Sequence, residues 1–245
     1  MDSSDRLPVS DETLEMLRQT GTATLATVLF KLGFKNRALT NVRAIVPDTR
    51  MVGEAFTVRY IPMREDLDSI EVLYASDNVH RQVFDEIEAG QVLVLDARGD
   101  ERGSLMGDIL AMRMKQRGAA GVVTDGCVRD GSAIRAVGLP CYARGDHPNA
   151  TFHLHHAVDK NVPIACGDVA VYPGDMVVGD ADGVVVIPRH LTEQVARSGF
   201  DQEQMEAWIL QRVASGAPLA GTYPPSDATK AEYRRWRESQ PGSTT

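Results

Sequence analysis

Residues 104–144 read SLMGDILAMRMKQRGAAGVVTDGCVRDGSAIRAVGLPCYAR, and this stretch restricts the possible folds more than any other. A helical segment stops at Gly118, and the apolar strand GVVTD follows at once. A second helix, DGSAIRAVG, and a further strand, PCYAR, come next. Connections this short, with helices between strands, are the rhythm of a layered α/β core. In the first helix Leu105, Ile109, Met112 and Gln116 share one side.

The flanks extend this pattern. Ser10 is placed to cap a helix DETLEMLRQT, and Thr22 a second, ATLATVLFKLG, which Gly33 closes. EAFTVRYI has the β-branched and aromatic bias of a strand, residues 79–89 are helical, and QVLVLDA is another strand. Residues 162–188 change character, with short β-rich runs between Pro-Gly-Asp and Asp-Gly turn signals. They predict an antiparallel β section packed onto the α/β part. A long helix over 190–214 and a proline-rich link, short helix and tail complete the chain. This organisation predicts one domain over 1–217 and an extension over 218–245.

Composition excludes several classes of function. With 43% hydrophobic and 24% charged residues the chain is an ordinary globular protein. A net charge of −8 without a basic block gives a phosphate backbone little to bind, so no nucleic-acid partner is expected. The polar, acidic start MDSSDRLPVSDE lacks the apolar stretch of a signal peptide, and no apolar run reaches membrane-spanning length. A cytoplasmic protein without a membrane partner is the expectation. Cys127, Cys141 and Cys166 form no CxxC pair and read as small apolar fillers.

Three places carry chemistry. Arg129-Asp130 ends the GVVTDGCV run, and ligands of open α/β sheets bind at the carboxyl ends of strands. The same pair also fits a plain helix cap beside a surface ion pair. Gly107-Asp108 opens the preceding helix, where unpaired N–H groups can receive a small carboxylate and a glycine admits close approach. Close packing would equally explain that glycine. His153, His155 and His156 suggest a metal site or a pocket wall, but no fourth ligand is evident in the sequence nearby. DADG at 180–183 reads as a turn, since it lacks the register of a calcium loop. G-x-S-x-G, P-loop and G-x-G-x-x-G motifs are all absent. Lys115 and Lys160 have no apolar setting that would suit a Schiff base.

Taken jointly, GDILAMRMKQRGAAGVVTDGCVRD, LPCYARG and VYPGDMVVGDADGVVVIP resemble the family of the regulator of ribonuclease E activity A. That family includes the divalent-metal 4-hydroxy-4-methyl-2-oxoglutarate and 4-carboxy-4-hydroxy-2-oxoadipate aldolases, and the likeness covers roughly residues 20–215. It implies the swivelling β/β/α fold, here with N-terminal helices and a C-terminal helical extension. It also implies trimers or dimers of trimers, with sites between subunits. In the aldolases a helix start matching Gly107, Asp108, Ile109 and Leu110 binds the pyruvyl part of the substrate. Arg129 matches the arginine that contacts substrate, and Asp130 the aspartate that binds magnesium or manganese. A glutamate from the neighbouring subunit's C-terminal helix organises water; Glu206 is the first match and Glu203 the second. The implied activity is retro-aldol cleavage of a 4-hydroxy-2-oxo acid to pyruvate, with oxaloacetate decarboxylation on the side. In that reaction a water oriented by Asp108 would act as the base. A dehydratase or aldolase of a 2-oxo-3-deoxy sugar acid, which the polar, His-containing insert from Gly145 to Lys160 and the C-terminal extension would select, and a non-catalytic ribonuclease E inhibitor are the alternatives.

Overall fold

The computed structural model describes residues 8–240, the side chains of Leu73 and His153 excepted. Helices α1 (Asp11–Gln19) and α2 (Thr22–Lys31) come first, followed by strands β1 (Arg43–Ala44) and β2 (Met51–Pro62). Next are α3 (Ile70–Tyr74), α4 (Val79–Glu86), β3 (Gln91–Asp96), α5 (Asp108–Gln116), β4 (Gly121–Thr124), β5 (Cys127–Val128) and α6 (Gly131–Val137). Strands β6 (Cys141–Ala143), β7 (Gly145–Asp146), β8 (His155–Lys160), β9 (Ile164–Cys166), β10 (Val169–Val171), β11 (Met176–Asp180) and β12 (Gly183–Ile187) lead to α7 (Thr192–Ala214) and α8 (Asp227–Glu238).

The main sheet runs β1-β6-β4-β3-β2-β11-β12, with β8 also paired to β2. Its centre, β2 to β3 to β4 to β6, is parallel, while β1, β8, β11 and β12 add antiparallel edges. A bridge from Ala38 to Val185 brings the two ends together, so the sheet curls into a nearly closed barrel. Side chains alternate across each strand. One set, including Val92, Val94, Val123, Tyr142, Val177 and Val184, points inward onto the β9–β10 hairpin. The other set points outward. Leu93, Leu95, Val122 and Cys141 lie under α4, α5 and α6, and Val178, Val185 and Ile187 lie under α1, α2 and α7. Each such side chain withdrawn from water stabilises the fold by about 1.5–3 kcal/mol.

This is the α/β class expected, with several local corrections. The antiparallel section is not a separate layer: β11 and β12 continue the main sheet through β2, and only β9–β10 fills the interior. Ser10 caps α1 through Thr13 N–H as predicted. The cap of α2 is Gly21 rather than Thr22, whose N–H and hydroxyl both bind Asp180 (2.7 and 2.6 Å). Asp180 thus belongs to a tight β11–β12 turn, so DADG is a turn. On α5 the buried residues are Ala111 and Met114, while Ile109 is 78% exposed. The apolar stripe through Ile109 and Met112 is therefore not the packing face. Strand β8 lies within residues the sequence reads as a polar insert. The first residues of MDSSDRLPVSDE and the last of the tail fall outside the described residues. Helix α8 docks on α7 through Trp208, Ile209 and Tyr233, an Arg212–Glu232 ion pair, and Arg212 over the Trp208 ring. Among the described residues no helix is long and apolar enough to cross a membrane. The three cysteines are buried and free, and burial pushes the Cys141 thiol up to about 12.

Candidate functional site

Three chain segments meet beyond the end of β4, and backbone hydrogen bonds hold them together. Asp125, buried at that end, accepts N–H groups of Ala97 (2.7 Å), Gly99 (3.0 Å) and Gly167 (3.3 Å). Burial raises its carboxyl pKa in spite of these bonds. The anchored chain then forms β5, which pairs in parallel with β7 and bridges Ser104. Leu105 N–H donates to Cys127 O, Arg129 N–H to Met106 O (both 2.9 Å), and His147 N–H to Val128 O (2.8 Å). Gly107-Asp108, Arg129-Asp130 and Asp146-His147 emerge side by side where these bonds stop.

The sequence puts Arg129-Asp130 shortly after the GVVTD strand; the structure forms the short strand β5 over Cys127–Val128 between them, and Gly107 lies against the pair. A Cβ on Gly107 would lie 2.8 Å from Asp130 Oδ2 and 3.2 Å from Arg129 Nε. Gly107 itself is extended (φ −127°), so the requirement for glycine here is one of space. Arg129 Nε and Asp130 Oδ2 are 3.3 Å apart, both side chains about half exposed (47% and 48%). An exposed pair of this kind contributes at most about 1 kcal/mol.

Asp130 decides between cap and site. It occupies the N-cap of α6 with left-handed backbone (φ 58°, ψ 37°), yet its side chain makes no capping hydrogen bond. Left-handed backbone costs roughly 1–3 kcal/mol at a residue with a Cβ, somewhat less for aspartate. Asp130 O accepts the Ala133 and Ile134 N–H groups (2.8 and 2.9 Å) and so starts α6, but the side chain forms no cap and its ion pair is too weak to offset that cost. What the geometry achieves is to present a carboxylate whose Oδ1 has no partner among the described residues.

Asp108 is the first residue of α5, and its Oδ1 accepts the Ile109 N–H (2.9 Å). Leu110 is partly buried against the core, and Ile109 is exposed. Arg129, Asp130, Asp146, His147 and Pro148 line an open cavity of about 520 Å³. Asp146 and His147 lie in the polar insert from Gly145 to Lys160 but are not singled out individually by the sequence. Their place depends on the non-local β5–β7 pairing, and the turn GDHPN shows only a polar loop after a strand. A Cβ on Gly131 would overlap the Asp146 carboxylate, so that carboxylate lies directly against the start of α6.

Other predicted residues lie elsewhere. Glu206 accepts a hydrogen bond from Gln202 (2.9 Å), and Glu203 accepts Gly21 N–H (3.3 Å). Both ride on α7, packed over α1 and α2, and one chain does not bring them to Arg129. His155 is buried with Nδ1 facing Arg98 (3.2 Å), and burial holds its pKa to about 4. His156 pairs with Asp68. Neither lines the cavity, and the side chain of His153 lies outside the described residues. Lys115 donates to Val137 O, and Lys160 to Gln82 and Glu86, so both amines are engaged.

Among the described residues no group of three or more His, Cys, Asp or Glu is arranged to hold a metal. The one unengaged carboxylate edge of Asp130 fits instead a hard divalent cation that keeps most of its waters, as magnesium does.

The chain matches the RraA-like family model, Aldolase/RraA, over residues 10–186. A Halalkalibacterium halodurans protein, provisionally named a 4-hydroxy-4-methyl-2-oxoglutarate aldolase, is 34% identical over 176 residues, 70% of this chain and 78% of the relative. A crystal structure of an uncharacterized Pseudomonas syringae pv. tomato protein superposes with a TM-score of 0.80 at 27% identity, covering 90% of this chain and 96% of that one. Streptomyces coelicolor RraAS2, described as an unusual member of the RNase ES inhibitor RraA protein family, gives 0.73 at 32% identity, over 83% and 98%.

Proposed function

Starting from the fact that the chain belongs to the RraA-like family of Aldolase/RraA proteins, we propose that it is a divalent-metal-dependent lyase releasing pyruvate from a 4-hydroxy-2-oxo acid. The observation that carries this reading is the convergence of Arg129 and a non-capping, left-handed Asp130 on one cavity, with Gly107 lying against both side chains.

Asp130 is the residue that would hold magnesium or manganese. Such a cation, when bound, supplies Lewis-acid polarisation of the substrate's 2-oxo group. The start of α5, from Gly107 to Leu110, receives the pyruvyl carboxylate on N–H groups other than that of Ile109, which Asp108 Oδ1 takes, and the absent Cβ of Gly107 lets it approach. Arg129 clamps the same anionic end, and its fixed charge favours ionisation of a nearby water. Asp108 has its second carboxylate oxygen left to orient that water as base. The base takes the C4 hydroxyl proton and the C3–C4 bond breaks. Its electron pair passes to C3, giving a pyruvate enolate and a carbonyl product, and protonation at C3 completes pyruvate. Loss of CO2 from oxaloacetate gives the same enolate, so decarboxylation is the expected side activity.

In the same proposal three copies assemble, and Glu206 of a neighbouring copy completes the water site. Light scattering should read a trimer or a dimer of trimers, and Glu206→Gln should lower turnover without changing the assembly. A second reading, a ribonuclease-binding regulator, rests on the likeness to RraAS2. An oxaloacetate decarboxylation assay with magnesium, repeated on Asp130→Asn, separates them. Metal-dependent pyruvate release that the variant loses supports the lyase, and its absence across several 2-oxo acids supports the regulator.

A further inference from the structure

The cavity wall beyond Arg129 is made by Asp146 and His147, and both are specified chemically. The Asn149 N–H donates to His147 Nδ1 (3.1 Å), which makes that nitrogen the acceptor and leaves the proton on Nε2. The His147 backbone is fixed at the same time by its bond to Val128 O (2.8 Å). Nε2–H is therefore a held donor with no partner among the described residues, on a ring that lines the cavity. Asp146 lies in parallel register with Val128, its carboxylate against Gly131. This wall presents one acceptor and one donor, the pair that a hydroxyl satisfies in both its roles.

Charge points the same way. Arg129 is the only full cation lining the cavity among the described residues, and the pyruvyl end claims it. One guanidinium and one divalent cation against the carboxylates of Asp108, Asp130 and Asp146 leave no net charge, so a substrate's second carboxylate adds a further uncompensated negative charge. A second carboxylate on the distal half would find no cation and would face Asp146.

Resting on the lyase reading above, we infer that Asp146 and His147 select the distal half of the substrate, favouring a neutral, hydroxyl-bearing tail, as in a 2-oxo-3-deoxy sugar acid, over a second carboxylate. The test compares kcat/KM for a 4-hydroxy-2-oxo monocarboxylate with a polyol tail and a 4-hydroxy-2-oxo dicarboxylate of equal chain length. Wild type, Asp146→Asn and His147→Phe are assayed. Asp146 is exposed and makes no hydrogen bond through its side chain among the described residues, so the asparagine variant should fold. The wild type should prefer the polyol acid. Asp146→Asn should shift the ratio toward the dicarboxylate by about fivefold, the scale of an exposed charge pair, chiefly through KM. His147→Phe should lower kcat/KM for the polyol acid by roughly fivefold. Calorimetry with the uncleavable pair 2-oxoglutarate and 2-oxopentanoate, in magnesium, reads the same discrimination without turnover. It should show 2-oxoglutarate gaining affinity in Asp146→Asn while 2-oxopentanoate does not. A wild-type preference for the dicarboxylate, or ratios that Asp146→Asn leaves within twofold, overturns the inference while pyruvate release leaves the lyase reading standing. Failure of that reading looks different: no pyruvate from any substrate.

Discussion

Gly107→Ala is the substitution that most sharply separates catalysis from stability in this fold. Its Cβ would stand 2.8 Å from Asp130 Oδ2, where ordinary contact begins near 3.4 Å, and 3.2 Å from Arg129 Nε. The carboxylate must therefore retreat by about 0.6 Å or more, with the guanidinium following. Misplacement on the order of 1 Å costs about 100-fold in rate, or about 2.7 kcal/mol of barrier. The backbone does not resist the change, because Gly107 at φ −127° has a conformation open to alanine. Replacing glycine by alanine at a helix N-cap costs roughly 0.5–1 kcal/mol, which lowers Tm by only about 2–4 °C in a chain of this length. Pyruvate release from oxaloacetate in magnesium should thus fall about two orders of magnitude while the melting temperature stays within a few degrees. Activity within about threefold of wild type would refute the placement of the reacting groups at Gly107 and Asp130. A collapse of Tm in step with activity would show that the glycine serves packing.

Stability should also depend on pH with a sign that can be worked out. Burial holds His80 and His155 to about 4, against about 6.5 in the unfolded chain. The unfolded chain therefore binds protons first, and stability is lost as pH falls from about 6.5 through 4. Asp96, raised to about 6 by burial, and Asp125, also raised by burial, work in the opposite direction as pH falls, but the lowered carboxyls of Asp100 and Asp180 add their loss to that of the two imidazoles. Melting temperatures between about pH 7.5 and 4.5 should decline, and a flat or rising profile contradicts this. Tyr233→Ala removes the ring that packs 5.5 Å from Trp208 and 5.9 Å from Trp236. Limited proteolysis should then cut between α7 and α8 far faster than in wild type, and equal rates would show that α8 is held by other contacts.

Much of this molecule was legible in its sequence because the signals are local. The 104–144 stretch shows its helices and strands, Ser10 its cap, and Asp-Gly its turn. Gly107, Arg129 and Asp130 could be named because each sits at the end of a readable element. What the sequence hid is what non-local contacts decide. Asp180, far along the chain, binds Thr22 and moves the cap of α2 to Gly21. Strand β8, HHAVDK, is half-buried and carries charge on both faces, so it lacks the alternation that marks a strand. The sheet closes through edge pairing that no local pattern announces. Asp146 and His147 enter the cavity only because β7 lies beside β5. The left-handed backbone of Asp130, whose side chain makes no cap, is likewise invisible in Arg-Asp-Gly.

On the proposed reading, Asp130 is what makes this site a metal-dependent source of pyruvate. The direct measurement is magnesium-dependent pyruvate release from a panel of 4-hydroxy-2-oxo acids, wild type against Asp130→Asn. Asparagine tolerates left-handed backbone, and no cap is lost because Asp130 makes none, so the variant should melt with the wild type. The wild type should give pyruvate plus a second carbonyl product, abolished by chelation and reduced about 100-fold or more in Asp130→Asn. Pyruvate release that survives the substitution, or water loss at constant carbon count, would contradict it.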